Sequence, residues 1–242
     1  MIRLLQGDVG SGKTVVALLS ILISIDNNYQ SCLVAPTEIL AFQHFKNFKD
    51  KFENLGLVVK VLTGSTKSSD RKILLNDLKN GSINLLIGTH AIFEQNVIFN
   101  NLGYAVIDEQ HRFGVKQRSK IWEKNNPPPH VLIMTATPIP RTLTMSLYGD
   151  LDLSIIDELP PGRKDVITVH RKDKNRLKVF GFIRDQIKQG RQIYIVYPLI
   201  EESKKMDLKY LEDGLESITR EFDKENYSIG VMHGRMRSVS YT

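Results

Sequence analysis

The sequence supports an α/β fold with a parallel sheet, on three observations. Short β-branched or apolar runs alternate with longer segments of helical period. Most of the runs are too apolar to face water on either side, as strands covered by helices on both faces are. The glycine-rich stretch GDVGSGKT, Gly7 to Thr14, lies between the first apolar run and the first helical segment, where a phosphate-cradling loop belongs.

Taken in order, the elements read as follows. Arg3 to Leu5 is the first strand and Lys13 to Ile25 the helix behind the glycine-rich loop. Strand Ser31 to Ala35 is followed by helix Glu38 to Phe52, and strand Val58 to Leu62 by helix Ser69 to Asn80, with Gly81 placed to cap its C-terminus. Strands Asn84 to Ile87 and Tyr104 to Ile107, an amphipathic helix Lys116 to Lys124 and strand Val131 to Met134 follow, so six strands complete one sheet. Within Lys116 to Lys124, Trp122 reads as a packing residue. The pattern breaks at Glu158 to Arg163, where Pro160, Pro161 and Gly162 disfavour regular structure. The lobe boundary is placed there, giving a first lobe over 1–158 and the start of a second over 159–242. Strand Val166 to His170, helix Lys174 to Gln189 closed by Gly190, strand Gln192 to Tyr197, an amphipathic stretch Leu208 to Phe222 and strand Ser228 to Met232 make up the second.

Composition sets the outer limits. Of 242 residues, 41% are hydrophobic and 25% charged, which excludes disordered and collagen-like classes. The 33 Lys and Arg exceed the 27 Asp and Glu, a net charge of +6 that suits a polyanionic partner without requiring one. The longest apolar stretch, Val15 to Ile25, falls short of the roughly 20 residues of a spanning helix, so no membrane partner is expected. The first residues lack the regions of a signal peptide, and a cytoplasmic location is expected. Cys32, the one cysteine, sits in an apolar run and reads as a buried strand thiol. The six histidines show no metal-ligand spacing, so zinc is not expected.

Gly7, Asp8, Val9, Gly10, Ser11, Gly12, Lys13 and Thr14 fit the phosphate-loop pattern G-x-x-x-x-G-K-S/T. Its glycines let backbone N–H groups wrap a phosphate, and the helix behind adds its positive dipole end. Lys13 is placed to reach the β and γ phosphates of a nucleotide, and Thr14 to hold Mg²⁺. A carboxylate at the end of a neighbouring strand completes such a site, and Asp108 is the candidate, with Glu109 as general base toward the attacking water. Taken alone, two acids after an apolar run are as readily a solvated strand end. Gln110 and His111 are candidates for coupling nucleotide state to other surfaces, as are the hydroxyls around Ala136 in Thr135-Ala136-Thr137. Small hydroxyl residues also follow strands at Pro36-Thr37-Glu38, Thr63-Gly64-Ser65 and Thr89-His90, a chemistry that suits a nucleic-acid backbone.

The segments GDVGSGKT, APTEILA, TGS, GTHA, DEQHRFG and TATPIPRTL, in this order and spacing, resemble motifs I, Ia, Ib, II and III of superfamily 2 helicases. Within that superfamily, DEQHRFGVKQR, the stretch from MTATPIPRTL to DELPPGR, GRQIYIVYPLIEES and MHGRM resemble the RecG family of branched-DNA helicases, along essentially the whole chain. The motor of the transcription-repair coupling factors is the nearest alternative, and Ser11 and Gln110 favour the RecG family over it. The resemblance implies two RecA-like P-loop NTPase lobes with parallel sheets, the first complete and the second truncated. It implies ATP and Mg²⁺ as cofactors, with branched or forked DNA as partner. Carried over by position, Gly7 to Thr14 bind nucleotide, Asp108 and Glu109 serve metal and hydrolysis, and Thr135 and Thr137 couple that chemistry to DNA. Pro36, Thr37, Thr63, Gly64, Thr89 and His90 face DNA. The intact family member is expected to be a monomer.

The family also carries a wedge domain and an adenine-recognising segment ahead of motif I, and arginine-bearing motifs V and VI. This chain begins six residues before Gly7 and stops at Thr242, so weak Mg-nucleotide binding and hydrolysis far below helicase rates are expected. A different class, a non-catalytic nucleotide or nucleic-acid binding module, is separated from this reading by DNA-stimulated ATPase that Lys13→Ala abolishes.

Overall fold

The computed structural model describes residues 1–109, 121–137, 151–158, 162, 166–197, 206–223 and 226–232. It divides into two compact units, Met1–Lys164 and Asp165–Thr242.

In the first unit, strands β1 (Ile2–Gly7), β2 (Gln30–Val34), β3 (Val59–Leu62), β4 (Leu85–Gly88), β5 (Leu102–Ile107), β6 (His130–Thr135) and β7 (Asp152–Ile156) form one sheet of order β3-β4-β2-β5-β6-β1-β7. Every neighbouring pair is parallel. Successive residues of each strand face opposite sides, as strand geometry requires. Leu33, Ile87, Val106 and Leu132 join a core against helices α1 (Lys13–Asp26) and α2 (Glu38–Glu53), while Cys32, Leu86, Ala105 and Val131 join a second core against α3 (Ser68–Lys79). The strands are apolar on both faces because both faces are covered.

Four helices end in the same hydrogen-bonded motif, with a left-handed residue just past the last turn. Gly81 closes α3 at φ 80, with Ser82 N donating to Asp77 O, and Gly56 closes α2 at φ 75. Asn28 takes that place after α1, at φ 64.

β7 is an addition to the six strands expected from sequence. It lies at the sheet edge beside β1, with Asp152 and Ser154 among its five residues, so it lacks the unbroken apolar run that marks the interior strands. Arg3 on β1 holds it by donating to Ser154 Oγ at 2.8 Å and to Asp152 Oδ2 at 3.1 Å. Of the predicted helix at Lys116 to Lys124, only residues 121–124 are described; Trp122 lines a shallow apolar depression with Met1, Ile2, Pro128 and Pro129.

The second unit contains helices α4 (Arg176–Lys188), which Gly190 closes at φ 75, and α5 (Met206–Glu221). Phe180 and Phe222 meet edge to face at 5.8 Å, and Tyr227 stacks on Phe222 in the same way at 5.1 Å. Arg184 donates to Glu221 Oε2 at 2.9 Å, and Arg176 to Ser217 Oγ at 2.8 Å. The three strands predicted here, Val166 to His170, Gln192 to Tyr197 and Ser228 to Met232, are corrected: none is paired as a strand. Strand preference is realised only against neighbours that complete the ladder and bury one face. Ile167 and Val196 are instead 88% and 84% exposed.

Candidate functional site

Because every strand of the first unit runs the same way, all the loops after strand ends gather on one edge of the sheet. A single row of paired residues crosses it: Leu62, Gly88, Val34, Ile107, Ile133 and Leu4. One residue further along, the first four strands present Thr63, Thr89, Ala35 and Asp108. The sheet order therefore sorts the predicted residues into two groups. β1, β6 and β5 are consecutive and carry the Gly7 to Thr14 loop, the Thr135 to Thr137 turn and Asp108-Glu109. β2, β4 and β3 are consecutive on the other side and carry Pro36-Thr37, Thr89-His90 and Thr63-Gly64.

The loop after β1 is shaped by glycine. Gly12 precedes α1 in the left-handed region, at φ 96, and provides no side-chain cap; its carbonyl accepts from Val15 N and Val16 N, and among the described residues the amides of Lys13 and Thr14 are left for another acceptor. A Cβ at Gly7 would stand 2.6 Å from Ser11 Oγ and 3.1 Å from Ile156 Cβ, so a side chain there would have to turn the Ser11 hydroxyl aside and press on β7. Lys13 Nζ donates to the carbonyls of Gly7 at 2.7 Å and Asp8 at 2.8 Å, which keeps the ammonium inside the loop. Ser11 Oγ is buried with no hydrogen-bond partner among the described residues, a state that costs about 1–3 kcal/mol. Uncapped amides, an inward-held ammonium and an unsatisfied hydroxyl fit a phosphate group.

Two strand spacings away, about 10 Å, Asp108 leaves β5. Its N–H donates to Val34 O at 2.9 Å, and its Oδ2 accepts from His44 Nε2 at 2.9 Å. Glu109 follows at φ 50, a left-handed conformation that costs a side-chain-bearing residue roughly 1–2 kcal/mol. Among the described residues no three His, Cys, Asp or Glu side chains cluster to hold a metal. One carboxylate, one threonine and nucleotide phosphates are the usual donor set of Mg²⁺, and Asp108 with Thr14 fits that set. Between them, Thr135 and Thr137 share a hydrogen bond at 2.8 Å and Thr137 N donates to Thr135 Oγ1 at 3.2 Å, a closed hydroxyl turn around Ala136. Gln110 and His111 lie outside the described residues.

The second group is unevenly exposed. Thr63 and Thr89 are buried, whereas Gly64, Ser65 and His90 are exposed. Thr37 caps α2, its Oγ1 accepting from Leu40 N at 3.3 Å. Glu38, the next residue, accepts from both the N–H and the hydroxyl of Ser65.

Two side-chain contacts of this edge, those of Glu38 and His44, escaped the sequence reading. Glu38 reads as an ordinary first-turn acid. His44 carries a usable signal: it interrupts the buried face Ala41, Phe48 and Phe52 of α2 at helical spacing, and a buried polar residue is the informative kind.

A glycine-rich loop before α1, an acidic pair after β5 and a threonine turn after β6 define a RecA-like helicase motor lobe. The chain belongs to the DEAD/DEAH box helicase family, whose model matches residues 3–146. It is similar to the ATP-dependent DNA helicases RecG of Synechocystis sp., 50% identical over 99% of this chain and 28% of that protein, and of Aquifex aeolicus, 48% identical over 98% and 30%. A solved structure of RecG bound to a three-way DNA junction is 40% identical, with a TM-score of 0.73 over 90% of this chain and 28% of its own. The helicase Lhr of Mycobacterium smegmatis, at 18% identity and a TM-score of 0.62, shares the fold. The chain thus spans about a third or less of the curated relatives it matches. Among the described residues no helix is long and apolar enough to cross a membrane.

Proposed function

We propose that this chain carries the ATP-driven motor of a DNA helicase that remodels branched or forked DNA, by branch migration and fork reversal, in recombination and repair. The observation that carries the reading is the adjacency of β1, β6 and β5, which sets the Gly7 to Thr14 loop, the Thr135 turn and Asp108-Glu109 side by side. Similarity to RecG, seen elsewhere on a three-way junction, supports the substrate class.

In this reading the backbone amides of Gly7, Asp8, Val9, Gly10, Ser11 and Gly12 receive the phosphates of ATP, and Lys13 exchanges the Gly7 and Asp8 carbonyls for the β and γ oxygens. Thr14 and Asp108 hold Mg²⁺, which when bound neutralises charge developing on the transferring phosphoryl group. Glu109 orients the attacking water and takes its proton. Thr135, Ala136 and Thr137, with Gln110 and His111, couple that chemistry to DNA. Pro36, Thr37, Gly64 and His90 meet the DNA backbone, and buried Thr63 and Thr89 shape the loops that present them. Residues 1–158 are the first motor lobe and 159–242 the start of the second. The protein works in the cytoplasm without a membrane partner, and the intact family member works as a monomer.

The test is equilibrium binding of fluorescent ATP and of forked DNA by the 242-residue chain. Saturable binding of both is expected, with DNA affinity falling as salt rises. Lys13→Ala is expected to weaken ATP binding at least tenfold, about 1.4 kcal/mol. An ATP affinity that Lys13→Ala leaves unchanged overturns the reading.

A further inference from the structure

We infer that His44 is the positioning residue for the ion-holding carboxylate of Asp108, an inference that rests on the nucleotide reading above. His44 lies on the buried face of α2 between Ala41 and Phe48, and its side chain is 10% exposed. Its Nε2–H donates to Asp108 Oδ2 at 2.9 Å, and the Asp108 side chain is 15% exposed. The ring is tilted 51° against Phe48, with centroids 6.0 Å apart, so packing fixes its direction. Asp108 is thereby tied twice, by its backbone N–H to Val34 O on β2 and by Oδ2 to α2. Oδ1 is the oxygen that His44 does not engage, and it is the one left to meet an ion beside Thr14.

The cost of the arrangement argues against a purely structural role. Among the described residues His44 Nδ1 is buried without a partner, a liability that an apolar side chain at this position would not carry. The imidazole therefore sits in the core at a cost, and the one hydrogen bond that it makes among the described residues goes to the carboxylate with the metal role. Ligating carboxylates are generally oriented by such partners, whose loss costs roughly 10–100-fold in metal affinity.

The experiment measures equilibrium affinity for a fluorescent, non-hydrolysable ATP analogue, in saturating Mg²⁺ and again in excess EDTA. Wild type, His44→Leu, His44→Gln and Lys13→Ala are compared. Leucine fills the site without a donor, and glutamine returns an N–H near the position of Nε2. The expected result is that His44→Leu keeps the EDTA affinity but loses roughly 10–100-fold of the gain that Mg²⁺ brings, and that His44→Gln recovers most of it. The inference is overturned if wild type shows no gain with Mg²⁺, if His44→Leu keeps the full gain, if it loses affinity equally in EDTA, or if His44→Gln does no better. Lys13→Ala reports separately on the nucleotide reading: affinity unchanged there sinks that reading, and the inference with it, whatever the histidine variants do.

Discussion

Glu38 and Ser65 form a two-point clamp: Glu38 Oε1 accepts from Ser65 N at 3.0 Å, and Oε2 from Ser65 Oγ at 2.8 Å. The residues are 27 apart in sequence: Glu38 opens α2 at the end of the loop from β2, and Ser65 lies in the loop leaving β3. β4 stands between those strands, so the clamp spans the end of β4 and ties two of the three proposed DNA-facing loops into one surface.

Removing the clamp sets two effects against each other. Glu38→Ala deletes a negative charge near the proposed phosphate path, which alone would strengthen DNA binding. It also frees the Thr63 to Ser65 loop, whose ordering must then be paid for on binding. We expect the second to win, with affinity for forked DNA falling roughly 5–10-fold, about 1–1.4 kcal/mol, and ATP affinity unchanged. Tighter DNA binding by Glu38→Ala in a fluorescence anisotropy titration would show that charge dominates and that the clamp does not order the surface.

Gln30 joins two loops from inside the core. Its Nε2 donates to Leu78 O at 3.0 Å and Ile83 O at 2.8 Å, while Oε1 accepts from Asn100 N at 2.7 Å and Asn101 N at 3.0 Å. Gln30→Leu preserves bulk and leaves four backbone groups without this partner, at about 1–3 kcal/mol for each that stays dry. A loss of about 3 kcal/mol or more in urea unfolding is expected. A loss below about 1 kcal/mol would mean that water replaces the amide at no cost.

Glu109 separates stability from chemistry. Its φ of 50 is a conformation that glycine adopts without the Cβ penalty. Glu109→Gly is therefore expected to hold or raise the melting temperature while single-turnover ATP hydrolysis falls by about 10²–10⁴, the usual contribution of a general base. Glu109→Gln, which keeps the side chain, should lose the same hydrolysis with no gain in stability. A Glu109→Gly variant that melts several degrees lower would show that the side chain is needed for the fold.

How far the sequence could be read follows from what it has to encode locally. Ser31 to Ala35 and Tyr104 to Ile107 are legible as strands because both faces are buried, so the apolar run is continuous. Gly81 and Gly190 are legible because left-handed closure of a helix selects glycine. β7 is hidden because an edge strand with Asp152 and Ser154 carries a weaker pattern. The second-unit runs at Val166 and Gln192 look like strands, since preference is local while pairing is not. The phosphate loop and acidic pair are visible as motifs. The His44 to Asp108 contact joins residues 64 apart that only the packing of α2 on the sheet brings together.

Cys32 provides a test of the core by pH. Burial pushes its thiol up from 9.0 to about 12, with the Lys124 ammonium pulling weakly the other way. The folded state thus holds the proton where the unfolded chain has released it. The sign follows from linkage: a folded pKa above the unfolded one gives stability that is complete below pH 9.0 and lost as pH rises toward 12. Within that window the slope approaches about 1.4 kcal/mol per pH unit. Other groups titrate there too, so the quantity to follow is the difference between wild type and Cys32→Ala in urea unfolding. That difference should be constant from pH 7 to 8.5 and should shift by about 1 kcal/mol against wild type by pH 10. Alkylation with iodoacetamide should be equally discriminating: negligible in the folded chain at pH 8 and rapid once urea opens the sheet. A folded protein that reacts at the unfolded rate would place Cys32 outside the core between β4 and β5.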